Sequence, residues 1–108
     1  MEPLFHLALA DDWRDAQEAG AYRISTIGMT LDEVGFIHCS FADQVDATAS
    51  RYYAGREGIV RLTIDPERVG AEVRVENLMG GDEVFPHVYG PIPLDAVIAV
   101  DPYEPPRA

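Results

Sequence analysis

The feature that most constrains the fold is a succession of short β-prone runs at residues 5–9, 36–40, 59–64, 71–76, 84–89 and 97–100. Glycine, proline and helix signals cut between them at irregular intervals. A doubly wound sheet needs a regular strand-helix alternation, and this order is mixed, so the pattern favours an α+β fold. With 108 residues, 47% of them apolar, the chain can bury one core. Residues 1–101 read as one domain and residues 102–108 as a fraying C-terminal tail.

Helix signals are local. Asp11 and Asp12 are N-cap candidates for a helix with Trp13 and Ala16 that stops at Gly20. Residues 22–24 suit a short strand, and Thr30 and Asp32 open a turn-like stretch ending at Gly35. Ser40 with Asp43 reads as a capping box for the clearest helix. Its apolar face is Val45, Thr48, Ala49, Tyr52 and Tyr53, its polar side is Asp43, Asp46 and Ser50, and Gly55 ends it. Residues 59–64 are nearly continuously apolar, as in a central strand. Asp65-Pro66 opens one helical turn near Gly70. Val73 and Val75 alternate with Glu72, Arg74 and Glu76, as in an edge strand with one wet face. Gly80-Gly81 reads as a turn, Pro86 interrupts a β-like run, and residues 97–100 read as a final buried strand.

A formal charge of -11, with no lysine in the chain, opposes binding to a polyphosphate backbone or an anionic membrane. Small molecules and proteins remain as partners, the acidic surface suiting a protein. The single Cys39 forms no internal disulfide, no basic leader starts the chain, and no apolar run reaches the roughly 20 residues of a membrane span. The expected location is the cytoplasm.

Strand alternation sorts the histidines. Ile37 and Cys39 share one face, leaving Phe36, His38 and Ser40 on the other. Phe5, Leu7 and Leu9 share a face, leaving His6 between Leu4 and Ala8. His87 aligns with Phe85 and Tyr89, aromatic bodies with polar tips. All three histidines thus oppose the more aliphatic faces, and strands placed side by side would gather them into a groove suited to a small molecule. Taken singly, a half-buried histidine most often only hydrogen-bonds a backbone carbonyl.

The segments Phe5-His6-Leu7, Gly35-Phe36-Ile37-His38-Cys39-Ser40 with Gln44, Asp65-Pro66, Val75-Glu76, Phe85-Pro86-His87-Val88-Tyr89-Gly90-Pro91 and Leu94-Asp95-Ala96-Val97 resemble the family known as domain of unknown function 952. The resemblance covers nearly the whole chain. It implies a fold similar to that of ADP-ribosyltransferases, whose split mixed or antiparallel sheet holds NAD in a cleft. In that setting His6 would hydrogen-bond a ribose hydroxyl, and the helix aromatics Tyr52 and Tyr53 would wall a nicotinamide pocket. Where the fold commonly has a glutamate, the nearest stretch here carries His87, with Glu76 and Glu83 close by. A carboxylate stabilises the ribosyl cation formed when the nicotinamide bond breaks.

Other chemistries fit less well. His38 and Cys39 project oppositely, so they do not make a nucleophile pair. The zinc spacings HxxxH, HxH and CxxC are missing, as are phosphate-binding glycine loops. Arg23, Arg51, Arg56 and Arg61 are pyrophosphate candidates, with surface ion pairing the commoner role for Arg51 and Arg56. The expected site is therefore catalytic His6, His87 and Glu76, with His38, Ser40, Tyr52, Tyr89 and Arg23 binding ligand. No metal and no obligatory cofactor are expected, and NAD is a substrate candidate. The expected function is binding of NAD or a related ribosyl nucleotide, with cleavage or transfer of ADP-ribose. The rival is a non-catalytic small-molecule-binding or protein-interaction module.

Overall fold

The apolar run at residues 59–64 becomes strand β4 (Ile59–Ile64), the middle of a three-stranded sheet between β1 (Leu4–Leu9) and β8 (Val97–Tyr103). The computed structural model of the chain describes residues 1–78 and 81–105. Between β1 and β4 come α1 (Ala10–Ala19), β2 (Ala21–Tyr22), α2 (Leu31–Val34), β3 (Ile37–His38) and α3 (Val45–Tyr52). After β4 come β5 (Val73–Glu76), β6 (Phe85–Val88) and β7 (Ile92–Pro93), with single 3-10 turns at Pro66–Arg68 and Leu94–Ala96.

The fold is α+β, and every strand pairing among the described residues is antiparallel. A second three-stranded sheet has the order β3-β6-β5, and β2 pairs with β7. The two larger sheets meet where Phe5 bridges Ser40 just beyond β3. That junction sets His6 of one sheet beside His38 of the other.

Two apolar clusters hold this frame. The larger gathers Leu4, Ala8, Tyr22, Ile37, Cys39, Leu62, Ile64, Val88 and Ile92. The smaller packs Val45, Ala49 and Tyr53 of the α3 region against Leu7 and Ile59. Fully burying one such Leu or Ile contributes about 1.5–3 kcal/mol, so β1 is secured from both faces. The Tyr53 hydroxyl adds a bond to the Leu7 carbonyl at 3.0 Å.

Several local expectations change. α1 starts at Ala10 with Leu9 at its N-cap, and Asp11 and Asp12 lie in the first turn, where carboxylates favour the helix dipole. The capping box belongs to α2, between Thr30 and Glu33. Ser40 does not cap α3, because its hydroxyl is turned to Thr48 Oγ1 at 3.1 Å. Gly20 and Gly35 do end their helices, at φ 95 and 94.

β8 is an edge strand rather than a buried one, with Ile98 and Val100 54% and 40% exposed. It continues through Pro102 and Tyr103, paired with Val60 and Ile59, so those residues are not a fraying tail. Val75 on edge strand β5 is exposed, contrary to a wet-face/dry-face alternation. Pro86 lies inside the middle strand of its sheet and offers its carbonyl to the Cys39 N–H at 3.0 Å. Gly80 and residues 106–108 lie outside the described residues. No helix among the described residues is long and apolar enough to cross a membrane.

Candidate functional site

In the antiparallel register His38 on β3 stands directly opposite His87 on β6, and Arg74 on β5 opposite His87 on its other side. Residues paired across a sheet share a face. One face therefore carries His38, Phe85, His87, Tyr89, Arg74 and Glu76, while Ile37, Cys39 and Val88 turn to the core. Phe36 covers this polar face, its ring 4.2 Å from that of His87 and 5.5 Å from that of Tyr89.

The hydrogen bonds run in sequence. His87 Nδ1 lies 2.9 Å from Glu76 Oε2, and His87 Nε2 lies 3.2 Å from His38 Nδ1. The Tyr89 hydroxyl donates to the same Glu76 oxygen, and the Arg74 guanidinium lies 4.4 Å over the Tyr89 ring. The Tyr89 bond, then that from His87, holds the Glu76 carboxyl below its usual range, so it is ionised at neutral pH. Its side chain is 22% exposed, whereas that of His87 is 1% exposed.

His6 is differently placed. Its Nδ1–H donates to the His38 carbonyl at 2.7 Å, and its Nε2 accepts from the Tyr22 hydroxyl at 2.9 Å. Both ring nitrogens are thus occupied, and the ring shares its strand face with the core residues Leu4 and Ala8. That corrects the placing of all three histidines opposite the more aliphatic faces. Burial holds the His6 imidazole down at about 4, against the opposing effect of the His38 carbonyl bond. His6 fixes the β3 backbone, and a ribose hydroxyl would have to displace an internal partner to reach it.

Three hollows meet at His38 and Tyr52. The widest, about 280 Å³, is lined by Ser25, Thr26, Met29, Val34, Phe36, His38 and Tyr52. A second, about 60 Å³, lies between His38, Thr48, Arg51, Tyr52, Glu83 and Phe85. The innermost, about 10 Å³, reaches His6, Ser40 and Thr48. The wall from Ser25 to Met29 is a closed loop in which Ser25 N–H bonds the Met29 carbonyl at 2.8 Å. The Ser25 hydroxyl accepts the His38 backbone N–H at 3.1 Å, which ties that wall to β3.

At this junction His38 Nε2 is out of contact with solvent and has no hydrogen-bond partner among the described residues. Burial, then the neighbouring His87 and His6, keep the His38 ring neutral down to about 4. The His38 ring lines the hollow, and its enclosed Nε2 lone pair can accept a proton or hydrogen bond from a ligand group that reaches it past the present lining. Among the described residues there is no group of His, Cys, Asp and Glu arranged to hold a metal ion.

Comparison with known proteins fits this frame. The family described as "Protein of unknown function (DUF952)" matches residues 7–100. The chain belongs to this family. Among solved structures it is similar to the crystal structure of protein CC0527 from Caulobacter crescentus, with a TM-score of 0.81 at 25% identity over 94% of this chain and 86% of that one. The solution NMR structure of CC0527 gives 0.79 at 26% identity over 96% and 86%. No curated protein matches the chain.

The segments GFIHCS and FPHVYGP supply the two paired strands β3 and β6 of the site. Of the residues expected there, His38 and Tyr52 line the hollows, and Ser40 reaches the innermost one. His87, Glu76 and Tyr89 form the layer behind His38. Arg23 is held by Asp32 at 3.0 Å and lines none of the hollows described here. Sequence reasoning set Phe85 on the histidine face without counting it among the site residues, missed Thr48 and the loop with Met29, and gave Arg51 as a pyrophosphate candidate with surface pairing the commoner role. Arg51 lines the cleft and lies 5.7 Å over the Tyr52 ring. The signal was present, since Thr48, Arg51 and Tyr52 are spaced to share one side of a helix.

Proposed function

We propose that this protein binds NAD or a related ribosyl nucleotide at the junction of His38 and Tyr52, and cleaves or transfers its ADP-ribose. The observation carrying this reading is the hollow of about 280 Å³ between Phe36, Met29 and Tyr52, with Arg51 at the adjoining cleft. That volume suits one heteroaromatic ring such as nicotinamide, not a whole dinucleotide. The remainder would extend past Tyr52 toward Arg51, a bidentate donor for pyrophosphate. Two antiparallel sheets meeting at one junction support the likeness to the split sheet of ADP-ribosyltransferases. In this reading His6 positions His38 through its carbonyl, and ligand contact falls to His38, Tyr52 and Arg51.

One observation favours a second reading, binding without turnover. Glu76 stands behind His87, and the carboxylate at the cleft itself, Glu83, is bonded to Gln44 Nε2 at 3.1 Å. A ribosyl cation in the hollow would lack a free carboxylate beside it.

Thermal denaturation with NAD, ADP-ribose and nicotinamide at millimolar concentration tests the binding. A ligand that binds the native state raises the transition temperature, and Tyr52→Ala should abolish the rise. Stabilisation by none of the three removes the reading. Release of nicotinamide from NAD separates turnover from binding alone.

A further inference from the structure

The chain of hydrogen bonds from Glu76 through His87 to His38 ends on a buried nitrogen without a partner. An ionised carboxylate only accepts, so His87 Nδ1 carries the proton that bonds Glu76 Oε2. With a single proton on His87, its Nε2 lone pair takes the Nδ1–H of His38. His38 in turn has its lone pair on Nε2, the nitrogen without a partner. Two rings that served only to join β3 to β6 would need no such ending. His6, a few ångströms away, shows how a structural histidine closes: both its nitrogens are bonded.

We propose that Glu76, His87 and His38 form a proton relay in which His38 Nε2 receives the proton of a hydroxyl on the bound ligand. This rests on the reading of the hollow as a ligand site. In the step the ligand O–H bond breaks and its electron pair stays on the ligand oxygen, which takes the negative charge. The proton bonds to His38 Nε2 through that nitrogen's lone pair. His38 Nδ1 releases its own proton to the lone pair of His87 Nε2. His38 ends neutral in the opposite tautomer, and the positive charge rests on His87 against the Glu76 carboxylate.

The device solves a problem set by burial. A cation on His38 is disfavoured, because the ring is enclosed and flanked by His6 and His87. Passing the charge to His87, itself buried, takes it out of the hollow and sets it beside the Glu76 carboxylate. The groups facing His87 are Glu76 from β5, His38 from β3, the Phe36 ring, the Tyr89 hydroxyl beyond Glu76, and the cross-strand Arg74, whose opposing charge is paired with Glu72. The Tyr89 bond holds the receiving oxygen in place. His38 is the residue that touches ligand, and His87 and Glu76 act through it.

The test needs no nucleotide, so its failure is separable from failure of the NAD reading. Long-range ¹H–¹⁵N spectra of histidine-labelled protein at neutral pH should show His38 protonated at Nδ1 and bare at Nε2. In His87→Phe that preference should disappear, while His87→Gln, whose amide oxygen can accept, should keep it. Phenol and anisole, matched rings with and without a hydroxyl donor, are then titrated. Phenol should move the His38 Nε2 signal and bind roughly tenfold more tightly than anisole, the worth of one buried hydrogen bond. A proton on Nε2 in the ligand-free protein, an unchanged tautomer in His87→Phe, or equal behaviour of phenol and anisole at His38 would each overturn the relay.

Discussion

Phe5 and Ser40 exchange two backbone hydrogen bonds, Phe5 N–H to the Ser40 carbonyl at 2.8 Å and Ser40 N–H to the Phe5 carbonyl at 2.7 Å. This pair joins the two larger sheets, and the residues next to it are His6 and Cys39. The histidine cluster is a consequence of that junction: His6 reaches the His38 carbonyl only because β1 and the end of β3 run side by side there.

His6→Phe should therefore destabilise the protein strongly. It leaves the Tyr22 hydroxyl and the His38 carbonyl buried without their partner, at roughly 1–3 kcal/mol for each unsatisfied group. Urea unfolding at pH 7.5 measures the loss. A change within about 0.5 kcal/mol would mean that the His6 bonds contribute little.

Acid stability follows from the same ring. Its native pKa of about 4 lies below the ordinary value of about 6.5, so the unfolded chain binds the proton first. The sign is therefore destabilising as pH falls: stability is intact above about 6.5 and declines through 4. His6 alone accounts for roughly 3 kcal/mol over that window, and His38 shifts in the same direction. Urea midpoints measured from pH 7.5 to 4 should fall steadily, and the decline should be shallower in His6→Phe.

Much of this was legible in the sequence and some was not. Alternation placed His38, His87 and Tyr89 away from the aliphatic core because each strand has one clearly apolar face. The same rule misjudged His6, since β1 is buried on both faces and Leu4 and Ala8 pack in the larger cluster. Ser40 looked like a helix cap because its spacing to Asp43 is right, yet the hydroxyl serves Thr48. The alternation at 71–76 pointed to an edge strand, as β5 is, but the apolar run at 97–100 carries no such signal and was read as buried although β8 has one partner, β4. The site formed by α3, the Met29 loop and β3 depends on contacts between segments that neither periodicity nor spacing encodes.

Gly90 is demanded by packing. A Cβ added there would sit 2.7 Å from the Ala71 Cβ, which has no flexible end to move aside. Gly90→Ala should cost about 1–3 kcal/mol in urea unfolding, and adding Ala71→Gly should recover part of it. An unaltered midpoint in the single variant would contradict the close approach.

Cys39 is enclosed, and burial pushes its thiol up to about 12. Relative to an ordinary thiol this lowers the thiolate fraction at pH 8 roughly a thousandfold. A chromogenic disulfide reagent should react with the folded protein only at the rate of unfolding, and promptly in denaturant.

The two arginines separate cleft from surface. Arg51→Ala should weaken ADP-ribose binding about tenfold, the scale of a lost charge-assisted bond, without moving the melting temperature. Arg23→Ala, which removes only an exposed pair with Asp32, should leave affinity unchanged by calorimetry. The reverse ranking would place the phosphates elsewhere.

Amide chemical-shift mapping during titration with nicotinamide and ADP-ribose bears most directly on the central claim. The account predicts saturable shifts concentrated at Thr26, Met29, Phe36, His38, Arg51 and Tyr52, around the hollows that converge on His38. Shifts confined to another surface, or none at millimolar ligand, would contradict it.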